Sequence, residues 1–116
     1  GGFMDALSAI RHAAETADIR VSAIGPALGK SSNYFSATAT RGTDPSAGNV
    51  ARMLGVCGWS LCAMPSDVVP AAALIIGDDD EDAERIKAAR RLELERRAAA
   101  LGEELGRVRS ELDTLE

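Results

Sequence analysis

Along the first 58 residues, apolar side chains recur at intervals of three and four, the spacing of one helical face. Phe3, Leu7, Ile10 and Ala14 predict a helix over 3–17, with Asp5, Arg11 and Glu15 pointing outward. A short second helix is predicted over 21–28. Ser22 supplies a cap for it, and Pro26 falls in the first turn, where a missing amide has no intrahelical partner to lose. Gly29 ends it. A third helix is expected from Ser31 or Ser32 to about Thr40, followed by a break at Arg41-Gly42-Thr43. Asp44-Pro45 opens a fourth, because Asp caps well and Pro suits the first helical position. Its apolar set is Val50, Met53, Leu54 and Cys57, and Gly58 closes it.

The period then changes. Trp59, Leu61 and Ala63 alternate with Ser60, Cys62 and Met64 as in a strand, and Pro65-Ser66-Asp67 reads as a turn. Residues 72–76 are aliphatic, so the expectation is a hairpin of two short strands. Gly77-Asp78-Asp79-Asp80 reads as a solvated hinge.

Residues 81–116 contain no proline and are rich in Ala, Leu, Glu and Arg, a composition that favours a long helix. Leu94, Ala98, Leu101, Leu105, Val108, Leu112 and Leu115 follow the alternating four-three spacing of a heptad. Such a helix runs ~50 Å at 1.5 Å per residue. A stripe of leucines of that length needs a partner, and the expected one is a second copy of the chain, as a homodimer or higher oligomer through residues 81–116. In a parallel pair Glu104 faces Arg109 of the other chain, which attracts, and Glu111 faces Glu116, which repels. Gly102 and Gly106 each cost up to ~1 kcal/mol of helix propensity, so the coil is expected to be modest in stability. The rival is a helix that folds back on its own domain. The fold class is therefore mainly α: a helical domain over 3–64, a short strand and acidic linker over 65–80, and a coiled-coil oligomerisation helix over 81–116.

Composition narrows the function. With 116 residues there is room for one compact domain and one extension. Phe3, Tyr34, Phe35 and Trp59 are the aromatic residues, so aliphatic side chains and alanine fill the core. No apolar run approaches the ~20 residues a membrane span needs. No leader pattern opens the chain; Gly1-Gly2, together with Phe3, read as a tag remnant before a natural Met4 start. Cys57 and Cys62 sit in apolar stretches, too few for a disulfide framework or a four-ligand zinc site, and read as reduced core residues of a cytoplasmic protein. Charge is uneven. Residues 1–77 carry five basic and five acidic side chains, whereas 78–116 carry eight and thirteen. The acidity belongs to the tail, so it does not exclude a nucleic-acid surface on the front part, although phosphate neutralisation helps such a surface only modestly.

No catalytic set is expected. His12, the single histidine, lies on a helix that must pack, and neither cysteine has a histidine near it in sequence. Residues 78–82 lack the ligand spacing and central glycine of an EF-hand loop and read as a solvated linker. No cofactor or metal is expected.

The stretch LGKSSNYFSATATRG, residues 28–42, is written differently from a helix that only packs. After a small-residue turn comes a run of serine, asparagine, tyrosine and threonine with one large apolar residue, Phe35. Residues 21–40 resemble the helix-turn-helix of lambda-repressor and Cro-like proteins. Ile24 and Leu28 stand as the apolar residues of the first helix. Gly25 is the small residue four before the turn glycine, Gly29, and Phe35 anchors the second helix. The following TRGTDPSAGNVARMLGVCGWSLCAMP is also similar to the family, and the likeness spans about residues 3–64. Two departures are Lys30, where the family usually carries an aliphatic residue, and Pro26 inside the first helix.

The resemblance implies a small DNA-binding transcriptional regulator, repressor-like and of phage or mobile-element type. It would bind double-stranded operator DNA as a homodimer with half-sites about one helical turn, ~34 Å, apart. The second helix would enter the major groove. Ser31, Ser32, Asn33, Ser36, Ala37 and Thr40 would face base edges, Asn33 pairing bidentately with adenine and Ala37 or a threonine methyl touching a thymine methyl. Lys30, Tyr34, Arg41 and Arg20 would reach phosphates, which set register without reading sequence. The free amides at the start of the third helix favour a phosphate nearby. The alternative is a protein-interaction or scaffolding module built on the same shape, in which residues 31–40 meet a protein or the coil itself recruits one.

Overall fold

A computed structural model describes residues 3–77 and 80–115. It forms two units, residues 1–78 and 79–116, which are taken here one at a time. Gly1-Gly2, Asp78-Asp79 of the acidic hinge and the Glu116 end of the heptad lie outside the described residues.

The front unit is mainly α, with four short packed helices and one pair of two-residue strands. The first departure from expectation comes at once. Phe3–Met4 is not the first turn of a helix but strand β1, paired in parallel with β2, Ile75–Ile76, in the register Phe3 to Ile75 and Met4 to Ile76. The Gly77 amide extends the ladder by donating to the Met4 carbonyl at 3.0 Å. The expected hairpin is thereby overturned: residues 59–64 form no strand, and the aliphatic residues 75 and 76 pair with the distant residues 3 and 4 instead.

Helix α1, Ala6–Thr16, begins where Asp5 adopts an extended conformation and accepts the Ser8 amide at 2.7 Å. Asp5 is thus the cap rather than one residue of an outward face. The helix buries Ala9, Ile10, Ala13 and Ala14, and leaves Arg11, His12 and Glu15 exposed. Small side chains at 9, 13 and 14 let the neighbouring helices approach closely.

A 3₁₀ turn, Val21–Ala23, leads into α2, Ile24–Ala27. Ser22 is inside this turn, and no side chain caps it. The tighter 3₁₀ winding is a common way into a short helix. Helix α3 is Tyr34–Thr40, two or three residues shorter at its start than the sequence suggested. The Ser31 hydroxyl donates to Asn33 Oδ1 and the Tyr34 amide to the Ser31 carbonyl at 3.2 Å, so Ser31 spends its hydrogen bonds on a turn. Neither serine caps the helix. Helix α4, Ala47–Val56, starts after Ser46, whose Oγ accepts the Asn49 amide at 3.2 Å. The Asp44-Pro45 opening is therefore displaced by the next residue, which has the three-residue reach a cap needs.

Three of these helices end alike. A residue in the left-handed region follows the helix, and the next amide reaches back five residues. Asp18 (φ 58°) precedes Ile19, which donates to Ala14 at 2.8 Å. Gly29 (φ 75°) precedes Lys30, which donates to Gly25 at 2.8 Å. Gly58 (φ 79°) precedes Trp59, which donates to Leu54 at 3.0 Å.

The core joins Ile10, Ala13 and Ala14 of α1 with Ile24, Phe35, Val50, Met53, Leu54 and Cys57. The fourth-helix set is buried as its spacing predicts. Each fully buried Phe, Ile or Met side chain stabilises by about 1.5–3 kcal/mol relative to exposure. The two cysteines part company. Cys57 is buried and its thiol donates weakly to the Met53 carbonyl at 3.6 Å, whereas Cys62 is exposed and belongs to no core. Burial pushes the Cys57 thiol up from its ordinary range.

The second unit is helix α5, Asp80–Thr114, which begins one residue earlier than the sequence indicated. Leu94, Leu101, Leu105, Val108, Leu112 and Leu115 are 45–82% exposed, and Ala98 is exposed with them. A helix that shows water a continuous apolar stripe of this length is incomplete alone, which points to self-association. Two ion pairs along it are local: Arg85 with Asp82 at 3.7 Å and Arg96 with Glu93 at 3.5 Å, each three residues apart. No helix among the described residues is long and apolar enough to cross a membrane.

Candidate nucleic-acid interface

The arrangement around residues 21–41 starts from a missing side chain. A β-carbon on Gly25 would stand 1.9 Å from the Ser31 carbonyl oxygen and 2.8 Å from the Tyr34 β-carbon. Only glycine lets the turn leading into α3 cross α2 at this distance. Its carbonyl also accepts two amides of the exit turn, Leu28 at 2.9 Å and Lys30 at 2.8 Å. Gly29 then turns the chain in the left-handed region, which glycine enters without a steric penalty.

These contacts set the face of α3. Phe35 and Thr38 are buried, and Tyr34 and Ala37 are half-buried. Ser32, Asn33, Ser36 and Thr40 are exposed, as are Lys30, Ser31 and Arg41 around them. Of the exposed side chains, Asn33, Ser36 and Thr40 recur at helical spacing, and all are short apart from the flanking Lys30 and Arg41. Tyr34 is partly buried and packs beside the core, so part of its ring is spent on the domain rather than on a phosphate. Ala37 is only partly available.

Hydrogen bonding limits what the face can offer. The Ser31 hydroxyl is engaged by Asn33 Oδ1. Thr40 donates to the Ser36 carbonyl at 2.8 Å, and Thr38 to the Tyr34 carbonyl at 3.0 Å. Their donors are committed to the helix itself, leaving oxygen lone pairs as acceptors. Asn33 keeps its amide group and one lone pair of its oxygen for a further partner. Ser32 and Ser36 have rotatable hydroxyls able to donate or accept.

The structure adds Arg11, a residue that sequence reading placed on an outward face without a role. Arg11, Glu15 and Arg20 line the same shallow recess as Ser36 and Thr40, between α1 and α3. The Arg11 guanidinium lies 5.4 Å from the centroid of the Phe35 ring, a cation–π distance that steers it toward α3. Only packing of α1 across α3 reveals this, because the two arginines are nine positions apart in sequence and far from residue 36. Arg52 is on α4, and its guanidinium bonds to Asn49 Oδ1 at 3.1 Å.

The His12 ring meets Trp59 edge-on at 6.1 Å and 84°, a packing contact. Among the described residues no group of three or more His, Cys, Asp or Glu side chains is placed to hold a metal ion. Asp5 has its carboxyl held below the usual range, by the Ser8 amide first, then the Ser8 side chain and Arg11, but its job is the cap of α1. No family model matches this chain, and neither a curated protein nor a solved structure matches it significantly.

Proposed function

We propose that this chain is a sequence-specific DNA-binding transcriptional regulator, repressor-like, that binds operator DNA as a homodimer. In this reading α2, the turn at Gly29 and α3 act as a helix-turn-helix of the lambda-repressor and Cro-like kind, with α3 in the major groove. The observation that carries it is the division of residues 31–40 into a buried side, Phe35 and Thr38, and an exposed side of small hydrogen-bonding groups. Groove entry needs slim side chains that project, and a helix selected for packing alone would not present them all on its free face.

Asn33 reads adenine, using its amide and its remaining oxygen lone pair. Ser32 and Ser36 serve several bases, and Lys30, Arg41, Arg20 and Arg11 hold phosphates at the edge of the face. The serine and threonine contacts are individually weak. A second head held by α5 raises the effective concentration of the first, which a reading head with five basic and five acidic residues needs. Occupying an operator then blocks transcription.

The test is selection of random duplex DNA on the full chain, followed by titration of the enriched sequence at several salt concentrations. A recurring motif and an affinity that falls steeply with salt are expected. The balanced charge of residues 1–77 favours one rival, a protein-interaction module of the same shape. No enrichment, with no retention on DNA at low salt, would overturn the DNA-binding reading and favour that rival.

A further inference from the structure

We infer that α5 pairs with α5 of a second copy in antiparallel orientation, with Leu101 of one chain against the partner's Leu105. The inference rests on the homodimer in the reading above and adds the direction and register of its interface.

The apolar seam has a definite phase. With Ala98, Leu105 and Leu112 as first heptad positions, Leu94, Leu101, Val108 and Leu115 are fourth positions. All are exposed in the single chain. Continued toward the helix start, the same seam meets Arg91 and then Lys87. A parallel pair sets like positions against each other. It therefore places Arg91 opposite the partner's Arg91 and Lys87 opposite the partner's Lys87, and leaves a gap where Ala98 meets the partner's Ala98.

The antiparallel register removes all three defects. Ala98 lies against the partner's Val108, a small side chain against a larger one. Leu94 lies against the partner's Leu112, so six successive layers are apolar on both sides. Arg91 comes level with the partner's Leu115 at the helix end, and Lys87 passes beyond it.

Charge complementarity agrees. In antiparallel coils the residues flanking the seam meet their own kind across it. Arg97 faces the partner's Glu111, and Glu95 faces the partner's Arg109, each twice by symmetry. A single like-charge contact remains, Glu104 with the partner's Glu104 near the two-fold axis. Sliding one helix by a heptad in one direction sets Glu104 against the partner's Glu111; in the other it puts Lys87 against the partner's Leu112. The parallel pair also gains attractions, Arg90 with the partner's Glu95 and Glu104 with the partner's Arg109, so the seam decides between them. The two α5 starts then stand about 70 Å apart at 1.5 Å per residue.

Two experiments on the full chain test this. First, in a Cys62→Ser background, Ala98→Cys and Val108→Cys variants are mixed and treated with a short bifunctional maleimide. Cross-linked dimer is expected from the mixture, and little from either variant alone. Cross-linking of Ala98→Cys with itself, no cross-linking in the mixture, or a monomer or higher oligomer by sedimentation equilibrium would overturn the inference. Second, Glu104→Gln, an exposed change that spares the seam, removes a repulsion in the antiparallel pair and two attractions in the parallel one. Dimerisation is expected to tighten about two- to fivefold; weakening would overturn the inference. Both readings are made without DNA, so failure of the DNA-binding reading leaves them interpretable.

Discussion

The carbonyl oxygen of Ser31 sits 1.9 Å from where a β-carbon on Gly25 would be. The contact is with backbone rather than a mobile side-chain tip, so an added methyl must push the whole turn before α3 away from α2. Gly25→Ala is therefore expected to destabilise the front unit by about 1–3 kcal/mol or more. Chemical denaturation monitored by Trp59 fluorescence measures it. A loss within error of zero would show that the turn relaxes freely.

Gly29 behaves oppositely in space: nothing lies within 4 Å of its added β-carbon, yet its φ is 75°. Gly29→Ala is expected to cost about 1–2 kcal/mol through backbone strain alone, while Gly29→Asn, tolerated in the left-handed region, costs less. The order of the two unfolding midpoints checks it.

The recognition assignment predicts that Asn33→Ala weakens binding to the selected duplex by about 1–3 kcal/mol and relaxes preference at one base pair. Lys30→Ala weakens specific and nonspecific DNA alike and lowers the salt slope by about one. A titration in which Asn33→Ala matches the native chain removes Asn33 from the face.

Asp5 makes a pH-dependent contribution whose sign is settled. Its carboxylate accepts the Ser8 amide, and the folded chain holds its pKa below the ordinary value. The stabilisation is present above the unfolded pKa and is lost as pH falls through the lower folded one. Asp5→Ala is expected to cost about 1 kcal/mol at pH 7, with the difference from the native chain shrinking below about pH 4. Parallel denaturation curves at pH 7 and pH 3 test it.

The thiols give a reactivity prediction. Cys62 is exposed, and Cys57 is buried with its thiol pushed up by burial. Under native conditions an alkylating reagent is expected to modify one thiol quickly, and the second only at the rate of unfolding. Mass mapping should find the fast label on Cys62.

Much of the helical plan was legible in the sequence. The spacing of Val50, Met53, Leu54 and Cys57 marked a buried stripe because a helix repeats every 3.6 residues wherever it packs. Gly29 and Gly58 marked helix ends for the same local reason. Capping was less legible. Asp44 and Ser46 are both good caps in isolation, and only the path of the chain decided which one reaches an amide three residues on. Ser31 and Ser32 looked like caps, but neither side chain accepts a helix amide, and the Ser31 hydroxyl is drawn to Asn33 instead. Asp18 ends α1 in a conformation usually left to glycine, so its residue type gave no warning.

What the amino-acid sequence determined by itself was everything governed by neighbours within a few turns: the helical stripes, the glycine stops, the heptad of α5 and the polar character of residues 31–40. What only the tertiary structure decided was which distant residues meet. It paired residues 3 and 4 with 75 and 76 in place of a local hairpin, pressed Ser31 against Gly25, and brought Arg11 and Arg20 beside Ser36 and Thr40. The physical reason is that periodicity records how a segment alternates between water and core, whereas strand pairing and side-chain clustering depend on long-range contacts that a segment's own pattern does not encode.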